Sequence, residues 1–186
     1  MSVWEELGFE LRLVFAEGEV EERFRERSQG THPDSGGEEG VFERLREARN
    51  DLLNDFKRLE LWLKAHGIEV SHSGNISPEI GEMFGRVGEV TSGVDLWVER
   101  GVTVNSGLGK ALWQKEGFSW KTRVEVLIDE VDVWQEKLVS KFPALEEGKA
   151  QDDFAQALQV RAELGFLRKW RSELQTRFGK IWEGLV

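Results

Sequence analysis

Between Phe42 and Leu63 the apolar residues Phe42, Leu45, Leu52, Phe56, Leu59 and Leu63 recur at alternating steps of three and four, and Arg49 takes the one remaining place. An α-helix puts such positions on a single side, because 3.6 residues complete a turn. Gly67 then suits a left-handed C-terminal cap. The same spacing recurs along the chain. Val3 to about Arg27 reads as a first helix with Leu7, Leu11, Val14 and Phe15 on one side and Gly18 as a weak point. Ser77-Pro78-Glu79 opens a third, with Ser as N-cap and Pro in the first turn. Its stripe is Ile80, Phe84, Val87, Val94 and Trp97, or the neighbouring Met83, Val90 and Val98. A short helix starts at Asn105-Ser106 and carries Leu108, Leu112 and Trp113. Ser119 to Phe142 forms another, with Val124, Leu127, Ile128, Val131, Trp134 and Leu138 inward and Phe142-Pro143 as its end. From about Gln151 a last long helix offers Phe154, Leu158, Leu167, Trp170, Leu174, Phe178 and Ile181 to the core.

These stripes, with three prolines in 186 residues and neither a strand pattern nor an internal repeat, predict an all-α, single-domain bundle of five to six helices over residues 1–186. Residues 28–40 (SQGTHPDSGGEEG) have the chemistry of an exposed loop. Ten of the 20 glycines lie between Gly67 and Gly117, which marks the middle third as the least rigid part.

A net charge of −10 argues against nucleic acid as a partner, since phosphate contacts need a concentrated basic face. The absence of cysteine excludes disulfides, thiolate metal sites and thiol nucleophiles. Glu5 and Glu6, with Glu10 and Arg12 interrupting the apolar run, do not fit a secretion signal or a mitochondrial presequence. No window approaches the roughly 20 apolar residues of a spanning helix. The expectation is a cytoplasmic protein, peripheral to a membrane at most. Asn75-Ile76-Ser77 is then a chance glycosylation sequon.

Catalytic, cofactor and metal sites are not expected. Only His32, His66 and His72 are present, and the i, i+6 spacing of His66 and His72 across Gly67 is no recognised helical ligand pair. Gly107-Leu108-Gly109-Lys110 lacks the first glycine and the hydroxyl of a phosphate-binding loop, with Val104 and Ala111 in those places. Gly81, Gly85 and Gly88 share a helical face and read as a close helix–helix contact in a soluble core, or as a hinge. The most distinctive segment is 161–180, where Arg161, Arg168, Lys169, Arg171, Arg177 and Lys180 stand against Glu163 and Glu173. Phe166, Trp170, Phe178 and Trp182 are interleaved with them. Such a strip fits an anionic membrane surface, an acidic partner or the protein's own acidic surface.

Two passages carry a family resemblance. Arg58-Leu59-Glu60-Leu61-Trp62-Leu63, closing on His66-Gly67-Ile68, resembles the second-helix ending of the fungal HeLo (prion-inhibition and propagation) domain. Ile128-Asp129-Glu130-Val131, followed by Trp134, Leu138 and Phe142-Pro143, is similar to a later helix of that family. The resemblance covers residues 40–160 and makes Leu59, Trp62, Gly67, Ile68, Ile128, Val131, Leu138, Phe142 and Pro143 structural positions. The chain departs from the family at Leu63, which replaces a glycine, and at its start, where Met1-Ser2-Val3-Trp4-Glu5-Glu6 stands in place of an apolar, membrane-inserting helix.

The resemblance implies a non-enzymatic domain in fungal heterokaryon incompatibility or programmed cell death. Such a domain acts through protein association, self-association of helices or membrane contact. The alternative is a soluble helical adaptor or oligomerisation module that never meets lipid. The direction in which Trp4, Trp62, Trp97, Trp170 and Trp182 face separates the two.

Overall fold

The computed structural model describes residues 2–29, 40–70, 76–148 and 154–186. His32, His72, Asn75 and residues 30–39 of the expected loop lie outside them. The described residues form eight α-helices and no strand: α1 (Val3–Leu7), α2 (Glu19–Ser28), α3 (Val41–Leu53), α4 (Asp55–Ala65), α5 (Pro78–Gly101), α6 (Gly107–Val139), α7 (Phe142–Gly148) and α8 (Ala155–Leu185). The all-α class agrees with the sequence; eight helices exceed the five to six expected, and each extra break has a local cause.

The expected first helix is two. Gly8 ends α1 in the left-handed conformation (φ 74°), and Gly18 opens α2 in the same region (φ 75°). Leu13, in the stretch between them, is fully buried. The long stripe from Phe42 to Leu63 is also cut in two. Asn54 leaves the helix (φ −89°, ψ 106°), and its side chain accepts from the Lys57 amide at 3.0 Å, an N-cap for α4. Arg58 closes the break by donating to the Leu52 carbonyl and to Asp55. In the other direction, the short helix at 105–106 and the one from Ser119 merge into α6. That helix ends at Val139, so Phe142-Pro143 starts α7 rather than stopping its predecessor. Proline suits a first turn, whose amides have no helical acceptor.

Contacts divide the chain into two compact units, Met1–Gly74 with Val139–Arg161, and Asn75–Leu138 with Ala162–Val186. In the first, α3 packs against α1, α2 and α4. Arg49, the odd member of its stripe, pairs bidentately with Glu21 of α2 at 2.5 and 2.7 Å. Trp62, fully buried, lies against Phe154, with ring centroids 5.6 Å apart. Helix α4 closes with two crossed bonds, Ile68 N–H to the Leu63 carbonyl and Gly67 N–H to Lys64, with Gly67 at φ 76°. This Schellman geometry accounts for the Gly-Ile ending. Glu60 receives both Lys64 and Arg161 at 2.6 Å. Burial by itself raises the Glu60 pKa, but the hydrogen bonds and charges of Arg161 and Lys64 outweigh it and bring it down to about 2.

The second unit contains α5, α6 up to Leu138, and α8 from Ala162. Helices α5 and α6 run antiparallel, held at their surface by Arg86–Glu130 (2.6 Å), Arg123–Glu89 (2.5 Å) and Arg100–Glu116 (2.5 Å). Their core is unusual. The Trp97 and Trp113 rings stack 4.3 Å apart at an interplanar angle of 3°, and each indole N–H donates to the other residue's carbonyl at 2.9 Å. Gly101, Gly117 and Gly184 lie against this pair, and Gly93 lies against Trp120. Three of the glycines expected to loosen the middle third, Gly93, Gly101 and Gly117, are thus seats for indole rings. Gly81, Gly85 and Gly88, expected at a close helix contact, are exposed, with open space where a Cβ would stand.

Candidate functional site

The buried side of α5 combines the two stripes read from the sequence: Ile80, Met83, Val87, Val90, Val94 and Trp97 are all buried. Phe84, expected among them, is 60% exposed. It belongs to an aromatic cluster with α8. The Phe84 ring lies 6.1 Å from that of buried Trp170, and half-buried Phe166 lies 5.7 Å from the same indole. Beside Phe84 runs the open line of Gly81, Gly85 and Gly88. The result is a low-relief face with one projecting phenyl ring on a rigid aromatic base. A bare backbone of this kind admits close approach by another chain.

The basic strip behaves differently. Its cations face acids: Arg161 pairs with Glu60, Arg171 with Asp132 at 2.6 Å, Arg177 and Lys180 with Asp95 at 2.9 and 3.1 Å, and Lys169 with Glu173 at 4.0 Å. Arg168 is exposed. Of the three surfaces that fit such a strip, the structure supplies the protein's own acidic one. Exposed pairs contribute little to stability, yet they cancel the local field a lipid surface would respond to. Of the five tryptophans chosen as a discriminator, Trp4, Trp62, Trp97 and Trp170 are buried and Trp182 is 56% exposed.

The resemblance positions are mostly core. Leu59, Trp62, Val131, Leu138 and Phe142 are buried, Ile68 and Ile128 half-buried, and Gly67 and Pro143 exposed. Each serves a helix end or a helix face. Glu163 is a buried carboxylate that the sequence reading assigned no role. It accepts from the Ser77 amide at 2.8 Å, which anchors the residue before Pro78 of α5, while the expected N-cap bond of the Ser77 side chain is not made. A single Glu within a basic run gave no signal of this.

No group of three His, Asp or Glu side chains among the described residues is placed to hold a metal ion. His66 Nδ1 lies 2.8 Å from the Trp62 carbonyl, a helix-end bond. The segment 107–110 is the first turn of α6, started by Ser106, whose hydroxyl accepts from the Gly109 amide at 3.0 Å. No described helix is long and apolar enough to cross a membrane.

Comparison with protein-family models and with curated proteins gives no match. Among solved structures, the chain is similar to the chaperone HscB from Vibrio cholerae, with a TM-score of 0.61 and 17% identity over 95% of this chain and 96% of that one. The likeness is one of fold.

Proposed function

We propose that this chain is a non-enzymatic, chaperone-type protein that works by holding another polypeptide, and that the Phe84 face of its second unit is where it does so. The observation that carries the reading is the solvent-facing Phe84 ring, supported from beneath by Trp170 and Phe166. Aromatic side chains are enriched at the centres of protein interfaces, and one backed by two further aromatic rings is suited to serve as an anchor. The fold likeness to a chaperone over nearly the whole of both chains supports the same kind of role. The occupant is an apolar segment of a client protein, taken up on Phe84 and the bare glycine line.

The test is anisotropy of labelled peptides, apolar and polar in matched pairs, titrated with the whole protein. Apolar peptides bind, and Phe84→Ser weakens them about tenfold or more, the loss expected of an aromatic anchor. Phe84→Leu retains most of the binding. Equal binding by wild type and Phe84→Ser sinks the proposal.

The second reading is the HeLo-like domain of incompatibility or cell-death signalling. It is favoured by the burial of Trp62, Leu138 and Phe142 at the resemblance positions. It requires dye release from anionic vesicles by the purified protein, which a client-binding chaperone does not produce. The soluble adaptor shares the protein-binding face and differs from the first reading only in its partner, a folded one.

A further inference from the structure

The hairpin tip of the second unit has a character unlike the rest of the molecule. From Gly101 to Lys115 there is no acidic residue, although the whole chain carries 35 Asp and Glu against 25 Lys and Arg. The tip holds Lys110 and Lys115, and neither forms an ion pair with a described residue, whereas the lysines and arginines of α8 mostly face acids. Its apolar side chains project into solvent: Val102 is 84% exposed, Leu108 74% and Leu112 60%. Leu108 and Leu112 are one turn apart on α6, and Lys110 and Lys115 are exposed beside them. Behind this tip stands the stacked Trp97–Trp113 pair, with Gly101 and Gly184 against it.

We infer that this tip is a membrane-contact element that dips into the interface of an anionic bilayer. Apolar residues on a convex helical turn, with lysines whose long stems let the ammonium reach upward to phosphates, fit a lipid surface. The charge balance selects the sign. The two lysines of the tip are drawn to an anionic plane, and the acid-free stretch around them opposes that attraction with no charge of its own. The membrane contact expected of the α8 strip moves to a different place, because the strip's cations face the protein's own acids and those of the tip face none among the described residues. The contact is interfacial, since no described helix is long and apolar enough to span. This inference is independent of the Phe84 face.

The test is flotation of the full chain with vesicles of phosphatidylcholine alone and of phosphatidylcholine mixed with phosphatidylglycerol. The wild type floats with the mixed vesicles at low salt and not with the neutral ones, and free glycerophosphate does not compete. Lys110→Gln and Lys115→Gln each weaken partitioning about fivefold, the loss for one cation at such a surface. The double variant Leu108→Ser, Leu112→Ser stays in the soluble fraction, with its far-UV circular dichroism showing the fold intact. Wild type that ignores both kinds of vesicle overturns the inference. So does binding that survives the tip changes but is lost in Arg168→Gln, Lys169→Gln, which would return the contact to the strip. Tip-dependent dimers without lipid would assign the surface to a second copy and overturn it equally.

Discussion

Replacing glycine by alanine at two sites of the second unit is expected to change stability in opposite directions. Gly85 lies in the middle of α5, exposed, with open space where a Cβ would go. There alanine contributes only its helix propensity, about 0.8–1 kcal/mol of stabilisation. Gly117 lies in the middle of α6, buried, and a Cβ there meets the Trp97 ring closer than any real Cβ comes, with Leu185 Cδ2 at 3.0 Å. The same propensity gain applies, but the methyl has to displace an indole. Trp97 cannot simply turn aside. It is stacked on Trp113 at 4.3 Å, and its N–H is committed to the Trp113 carbonyl.

Overpacking of this kind costs about 1–3 kcal/mol, and loosening a hydrogen bond about 1 kcal/mol more. The net expectation for Gly117→Ala is about 1–3 kcal/mol of destabilisation after the propensity gain is subtracted. Urea denaturation followed by far-UV circular dichroism measures both variants, with the midpoint rising for Gly85→Ala and falling for Gly117→Ala at constant slope. The stacked indoles also give a coupled ultraviolet signal, which weakens in Gly117→Ala alone. If both substitutions stabilise the protein, Gly117 is not a seat for Trp97 and the packing argument fails.

Trp97→Phe removes half of the stack and one of the two crossed hydrogen bonds, and takes the indole donor away from the Trp113 carbonyl; about 2–4 kcal/mol is lost, together with the coupled indole signal, whose persistence would contradict the pairing. Asn54→Ala removes the α4 N-cap and costs about 1 kcal/mol in thermal or urea unfolding, whereas Asn54→Asp keeps the acceptor and the stability. Glu60 has a folded-state pKa of about 2 against an ordinary 4.5, so its contribution is fully present above pH 4.5 and is lost as pH falls through about 2. At most about 3 kcal/mol is at stake. Unfolding free energies measured from pH 5 downward fall more steeply in wild type than in Glu60→Gln; parallel curves would mean that Arg161 and Lys64 do not hold this carboxylate.

The expected helix beginning at 77–78, the Gly67 cap and most core positions agree with the structure, because each depends on short-range grammar. A cap needs a residue that tolerates positive φ, and a buried face needs apolar side chains three and four apart. The breaks were harder to read. Asn54-Asp55 is an N-cap signal, but the apolar stripe continues across it from Leu52 to Phe56 and masks the break. At Phe142-Pro143 the local chemistry fits a helix start as well as a stop, and only the turn at Ser140-Lys141 decides between them.

The candidate surfaces depended on the fold. Gly85 and Gly117 look alike in sequence, and one is bare surface while the other holds an indole. Phe84 has the spacing of a core residue and stands in water, because Met83 and Val87 already fill the inner side of α5. The cations of α8 meet acids 39, 82 and 85 residues away. The sequence by itself determined the all-α class and where apolar stripes lie, since those follow from backbone geometry within a few residues. Which side chains are cancelled, seated or left exposed was decided by the tertiary structure, since charge pairing and close packing depend on distances in space between residues far apart in the chain.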